Sequence, residues 1–253
     1  MDLKDKTVVI TGAARGLGRE MAREIAAHGA KLALLDLNEE GLQETVRLCA
    51  GTRGQAKAYP VDVTDETAVE TVFGAIRKDL GAVEALVNNA GITNDDLLVK
   101  AKDGKILRKM SLAHFDKVID VDLKAVFLCG REAAVQMIES GAGGVIVNIS
   151  SISRAGNIGQ SNYTAAKAGV AAMTVTWAKE LARHNIRAAC IAPGFCDTDM
   201  VAAIPPEIQN RITSMIPARR FGRPEEIARS VLFILENDYF NGRVLEVDGG
   251  MRL

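Results

Sequence analysis

Several features are scarce in this sequence, and each scarcity narrows what it can do. Aromatic residues make up 4% of the 253 positions and there is one Trp, too few for the stacked platforms that grip single-stranded nucleic acid. Lys and Arg number 31 against 32 Asp and Glu, so the basic excess of a general polyanion binder is missing. Nucleic acid is not an expected partner. No stretch approaches the roughly 18–20 consecutive apolar residues of a membrane span, and the opening MDLKDKT carries no apolar signal segment. Cys49, Cys129, Cys190 and Cys196 form no CxxC pair and stand near no His at ligand spacing. They read as reduced thiols, with no disulfide and no metal. His28, His114 and His184 fall in helical patterns, and neither H-E-x-x-H nor G-x-S-x-G occurs, which sets aside zinc-protease and α/β-hydrolase chemistry. No Pro- or Ser-rich linker and no internal repeat interrupts the chain, so one domain over 1–253 is expected. The protein is expected to be soluble and cytoplasmic.

What is present is a rhythm of short apolar runs and longer amphipathic stretches. TVVIT (Thr7 to Thr11) is an uninterrupted, β-branched run of the kind buried in parallel sheets. Arg15 to His28 then places Leu17, Met21 and Ile25 on one helical face, and Gly29 is a suitable C-cap. KLALLD (Lys31 to Asp36) is a second strand, and Asn38 can cap the helix after it. Further strands are expected at 56–60, 83–88, 145–150, 187–191 and 244–247, with helices near 65–80, 112–139, 161–184 and 224–236. Seven strands alternating with helices predict an α/β fold with a mostly parallel sheet covered on both faces. Two stretches break the rhythm. Asp103-Gly104 can turn a hairpin within 92–111. Residues 194–223, with Pro205, Pro206 and Pro217, read as a mobile loop with short helices.

Three local patterns carry chemistry. The first strand runs into TGAARGLG, where Gly12, Gly16 and Gly18 let the backbone approach a pyrophosphate at a helix N-terminus. The spacing is G-x-x-x-G-x-G, not the commoner G-x-G-x-x-G. Asp36 ends the second strand, where a carboxylate can accept from the adenine-ribose hydroxyls and repel a 2′-phosphate. That favours NAD(H), while Arg15 in the glycine turn keeps NADP(H) open. Tyr163 and Lys167 form Y-x-x-x-K on one helix face. An ammonium beside a phenol favours the phenolate, making the Tyr a proton donor and acceptor.

Taken in order, TGAARGLG, NNAG (Asn88 to Gly91), Ser150-Ser151, Tyr163-x-x-x-Lys167, PGFCDTDM (Pro193 to Met200), GRPEEIA (Gly222 to Ala228) and VDGG (Val247 to Gly250) resemble the short-chain dehydrogenases/reductases over essentially the whole chain. Among these the sequence is most similar to bacterial β-ketoacyl-acyl-carrier-protein reductases. The resemblance implies a Rossmann-type doubly wound sandwich with a seven-stranded parallel sheet. It also implies interconversion of a carbonyl and a secondary alcohol with NAD(P)(H), and a homotetramer. A 3-oxoacyl thioester carried on acyl carrier protein or CoA is the leading substrate. A general secondary-alcohol, hydroxysteroid or sugar dehydrogenase is the alternative within enzymes, and a non-catalytic nucleotide sensor is the alternative outside them.

Carried across by residue, the resemblance makes Tyr163 the general acid/base and Lys167 its partner and the holder of the nicotinamide ribose. Gly12, Arg15, Gly16, Leu17 and Gly18 would cradle the pyrophosphate. Asp36, Asp62 and Val63 would meet the adenosine, and Asn89, Ala90 and Gly91 would line the cofactor. Pro193, Gly194 and Thr198 would orient the carboxamide. A Ser would hold the substrate carbonyl. Ser151 is favoured because VIVNISS anchors the alignment, although Ser150 has the family's thirteen-residue spacing to the Tyr; Ser153 is a third candidate. The family's catalytic Asn, which supports a water linked to the Lys, is here Asp122 in IDVDLK. A carboxylate can only accept, can pair with Lys167, and adds a negative charge that opposes the Lys. Turnover that is slower or shifted to higher pH is expected. The 92–111 insertion is longer than the resemblance predicts. Its Lys100, Lys102, Lys105, Arg108 and Lys109, against Asp103 and the pair Asp95-Asp96, read either as a solvated basic hairpin or as a docking patch for an acyl carrier protein or a CoA phosphate.

Overall fold

A computed structural model describes residues 1–202 and 204–253. Ala203, inside the expected mobile segment, lies outside the described residues, as do the side chains of Asp199 and Met200 at the end of PGFCDTDM.

Seven parallel strands form the central sheet. In chain order these are β1 (Thr7–Thr11), β2 (Lys31–Asp36), β3 (Gln55–Pro60), β4 (Ala85–Asn88), β7 (Gly144–Ile149), β8 (Ile186–Pro193) and β9 (Val244–Val247). Their spatial order is β3-β2-β1-β4-β7-β8-β9. The chain thus builds outward from β1 to β3, then returns to the other side of β1 and builds the opposite way. Every residue of β1 and β7 is buried, as strands covered on both faces must be.

Helices α1 (Gly16–Ala27), α2 (Glu39–Cys49) and α9 (Pro224–Glu236) belong to one face, where Met21, Ile25, Leu42, Val231 and Ile234 share a core with alternate residues of β1 and β2. Helices α3 (Glu66–Leu80) and α5 (Ala125–Ser140) cover the other, around Phe73, Ile76, Leu128 and Met137. Phe73 is almost fully enclosed, and burying such a side chain contributes roughly 1.5–3 kcal/mol. No helix among the described residues is long and apolar enough to cross a membrane.

The hairpin forms as expected. Strands β5 (Val99–Lys102) and β6 (Lys105–Lys109) pair antiparallel, and Asp103 (φ 51) and Gly104 (φ 73) both take the left-handed conformation that a two-residue I′ turn requires. All nine strand residues are exposed. The expected helix over 112–139 is not continuous. It is α4 (Leu112–Ile119), a π-helical turn over Asp120–Lys124, then α5. Helical periodicity does not register one residue inserted into a turn, yet that residue re-aims the side chains around it. The segment expected to be a mobile loop carries α7 (Asp199–Ala202) and α8 (Pro206–Met215), while α6 (Ser161–Glu180) ends in a short 3₁₀ turn.

Candidate active site

The carboxyl ends of the parallel strands open into a cleft of about 830 Å³ at the β1/β4 reversal, where open α/β sheets bind their ligands. One end is built on the glycine turn between β1 and α1. Gly18 packs so tightly that a Cβ there would stand 2.1 Å from the Gly12 carbonyl oxygen. At Gly16 (φ +54) the nearest neighbour of an added Cβ is the Thr198 side chain, at an ordinary contact distance of 3.9 Å. The turn is held from several sides. Asn89 Nδ2 donates to the Thr11 and Gly12 carbonyls at 3.0 and 3.1 Å, and Thr11 Oγ1 accepts from the backbone N–H groups of Asn89 and Ala90. Arg19 donates to the Ala14 carbonyl and to Thr45 Oγ1. Asp36 accepts from Ala14 N at 3.1 Å through one carboxylate oxygen and from Asn38 N at 3.0 Å through the other. Asp62 accepts from both the backbone and the hydroxyl of Thr64.

The other end is built on the first two turns of α6. Tyr163 and Lys167 line the cleft together with Ser151, and Lys167 Nζ sits 5.5 Å from the centre of the Tyr163 ring. Ser150 Oγ donates to the Lys167 carbonyl at 2.7 Å, a buried bond that commits this hydroxyl to the joint between β7 and α6. Ser151 also lines the cleft, and its Oγ accepts from Ser153 N at 3.1 Å. Burial pushes the Tyr163 hydroxyl above its ordinary pKa; Lys167 and Ser151 pull it down, and Asp122 and Asp95 add to the rise. Burial also weighs against the Lys167 ammonium, but Asp122 and Tyr163 outweigh it and hold its pKa above the usual value. Arg15, Leu17, Val63, Ala90, Gly91, Pro193 and Gly194 line the same cleft. Of the catalytic and cofactor-binding residues expected from the sequence, Gly18 and Asp122 are the two that do not. Gly18 lies beneath the turn, and Asp122 lies behind Lys167, fully enclosed.

The comparisons with known proteins agree with this geometry. Residues 12–252 match the short-chain dehydrogenase family model described as Enoyl-(Acyl carrier protein) reductase. The chain is 41% identical to the 3-oxoacyl-[acyl-carrier-protein] reductase of Thermotoga maritima, over 99% of both chains. The chain belongs to the short-chain dehydrogenase/reductase family. This dehydrogenase/reductase is also 38% identical to the human (3R)-3-hydroxyacyl-CoA dehydrogenase, over 98% of this chain and 96% of that one. A solved structure assigned as a short-chain alcohol dehydrogenase, from Sinorhizobium meliloti, superposes with a TM-score of 0.89 at 34% identity, covering 98% of this chain and 97% of the other. The protein is thus an oxidoreductase acting on CH–OH groups with a nicotinamide cofactor.

The residues fit such a cofactor. The N-terminus of α1 has no side-chain cap. Its first-turn N–H groups are available for a pyrophosphate, and Gly16 leaves the approach clear.

Several residues that shape this dehydrogenase/reductase site escaped the sequence reading. Asn162, next to Tyr163 and fully buried, donates to the carbonyls of Asn94 and His114 and accepts from Tyr163 N at 2.8 Å. It fixes where α6 begins. Gln160 donates to Asp95 at 3.0 Å, tying the rim to the root of the hairpin. Asn88, Asn148 and Thr174 form a buried chain from β4 through β7 to α6, each link 2.9 Å. The one available signal is polarity at strand and helix positions that are otherwise apolar.

Proposed function

We propose that this protein reduces 3-oxoacyl thioesters to 3-hydroxyacyl thioesters with NADH as the preferred reductant. The observation that carries the reading is the convergence of Ser151, Tyr163 and Lys167 on one wall of a cleft whose other end is the uncapped glycine turn. The nicotinamide, when bound, supplies the hydride. Ser151 holds the carbonyl oxygen of the substrate and Tyr163 gives it a proton. Lys167, anchored by its 3.1 Å bond to the Ile149 carbonyl, sets the charge beside that hydroxyl and holds the nicotinamide ribose. Asp36 selects NAD(H): a carboxylate already bonded to the turn accepts from ribose hydroxyls and repels a 2′-phosphate.

The thioester reading draws on the 3-oxoacyl and 3-hydroxyacyl chemistry named for the relatives and on the hairpin. Residues 92–111 hold five cations against Asp95, Asp96 and Asp103, and the hairpin is rooted through Asp95 and Gln160 at the cleft rim. The lysines of this arm support docking of an anionic carrier, while Arg108 is already paired with Asp96. The outward faces of α5 and α6 leave Phe127, Val135, Ile138 and Val175 exposed, which supports assembly of four copies through these helices. A monomeric mass by light scattering at micromolar concentration would remove that part.

The decisive experiment follows nicotinamide absorbance on mixing the protein with acetoacetyl-CoA and either NADH or NADPH. Rapid oxidation of NADH and slow oxidation of NADPH is the expected result. The reverse preference would remove the role of Asp36 and keep the reductase. Absence of turnover with both, while NADH binds, would remove the thioester reading.

A further inference from the structure

Asp122 stands at the centre of the π-helical turn, with no solvent exposure. Its Oδ1 accepts from Ile92 N at 2.8 Å. Its Oδ2 lies 3.1 Å from Lys167 Nζ, off the directions of a hydrogen bond. It is the one buried side-chain N or O among the described residues without a hydrogen-bond partner. Burial raises the Asp122 carboxyl above its ordinary pKa, and the Lys167 ammonium and the Ile92 N–H act against that rise in favour of the carboxylate.

The surrounding groups fix what this pair does. From α6 come Lys167 and Tyr163. From β7 and the turn after it come the Ile149 carbonyl and Ser151. From the segment after β4 come the Ile92 N–H and Asp95. From β8 comes Cys190, whose thiol burial pushes up to about 11 and so holds protonated. Lys167 is the cation acting on Tyr163. Alone, its ammonium would favour the phenolate. Paired with a carboxylate, the two charges cancel at longer range and leave Tyr163 facing a dipole. An amide at position 122 would keep the bond from Ile92 N and leave the Lys167 charge uncompensated.

We propose that Asp122 is a positioning residue that neutralises Lys167 and keeps Tyr163 protonated to higher pH, poising the site for carbonyl reduction over alcohol oxidation. The inference rests on the reading of Tyr163 as the acid/base residue. In reduction the carbonyl carbon takes a hydride from the reduced nicotinamide, the C=O π bond opens, and the oxygen takes the Tyr163 proton. The phenolate left behind regains one proton from solvent. Oxidation needs the phenolate at the outset, to remove the alcohol proton, and Asp122 makes that form scarce at neutral pH.

The test compares wild-type protein with Asp122→Asn by ultraviolet titration of phenolate, in the absence of substrate. The sequence has three Tyr, so Tyr163→Phe in each background isolates the Tyr163 signal. The expected result is a midpoint lower by about one pH unit or more in Asp122→Asn, a tenfold larger phenolate population at neutral pH. Oxidation of 3-hydroxybutyryl-CoA at pH 7 should rise in parallel, with its pH profile displaced by the same amount. Equal midpoints, or a higher one in Asp122→Asn, would overturn the proposal. The titration needs no turnover, so it separates failure here from failure of the thioester reading. A melting curve matched to wild type confirms that the variant is folded.

Discussion

Asn89, just after β4, donates from one amide nitrogen to the carbonyls of both Thr11 and Gly12, at 3.0 and 3.1 Å. The two strands flanking the reversal of the sheet are therefore bonded at the point where the nucleotide phosphates are expected. The Asn89 side chain shapes the turn rather than reaching for a ligand. Asn89→Ala removes both bonds, each worth about 0.5–1.5 kcal/mol net. NADH affinity by calorimetry should fall about tenfold, with melting lowered by only a few degrees. Unchanged affinity would mean that the turn keeps its shape unaided.

Two glycines make opposite predictions. A Cβ at Gly18 meets the Gly12 carbonyl oxygen at 2.1 Å, backbone against backbone with no flexible end to yield. Gly18→Ala should destabilise the fold by roughly 1–3 kcal/mol and abolish nucleotide binding. Gly74, inside α3, has nothing within 4 Å of its added Cβ. Gly74→Ala should stabilise by about 0.5–1 kcal/mol. Thermal melts of the pair decide it, and equal effects would contradict the packing described.

Tyr163→Phe keeps the ring and removes the proton. Turnover of acetoacetyl-CoA should drop about 10²–10⁴-fold, with the dissociation constant for NADH within twofold of wild type. Loss of binding instead would make Tyr163 a structural anchor.

Charge reversal on the hairpin, Lys100→Glu with Lys105→Glu, changes exposed residues far from any core. For an acetoacetyl thioester of acyl carrier protein, KM should rise about tenfold at low ionic strength, and the effect should shrink as salt shortens the Debye length below about 8 Å. With the same KM as wild type at low salt, the hairpin would be a solvated arm and nothing more.

Much of the framework was legible in the chain because buried parallel strands announce themselves. TVVIT and KLALLD are apolar runs bounded by turn chemistry, and their limits in the structure match the expected ones at Thr7–Thr11 and Lys31–Asp36. Asp103-Gly104 announced its hairpin because few dipeptides accept two left-handed residues. The Asn38 cap was legible for a similar local reason, and its side chain accepts from Gly41 N at 2.9 Å.

The sequence by itself determined the order of strands and helices, the glycine turn, and the presence of Tyr163 and Lys167 on one helix face. Those follow from periodicity and local sterics, which act over a few residues. Only the tertiary structure decided what Asp122 faces. A π-helical turn adds one residue without disturbing the apolar pattern, and it carries that carboxylate to Lys167, 45 positions away in a chain that must first fold round the sheet. The same holds for Ser150 and Ser151, neighbours with opposite fates. Both line the cleft, but the Ser150 hydroxyl is committed to the Lys167 carbonyl, a bond across the sheet–helix joint that no local pattern announces.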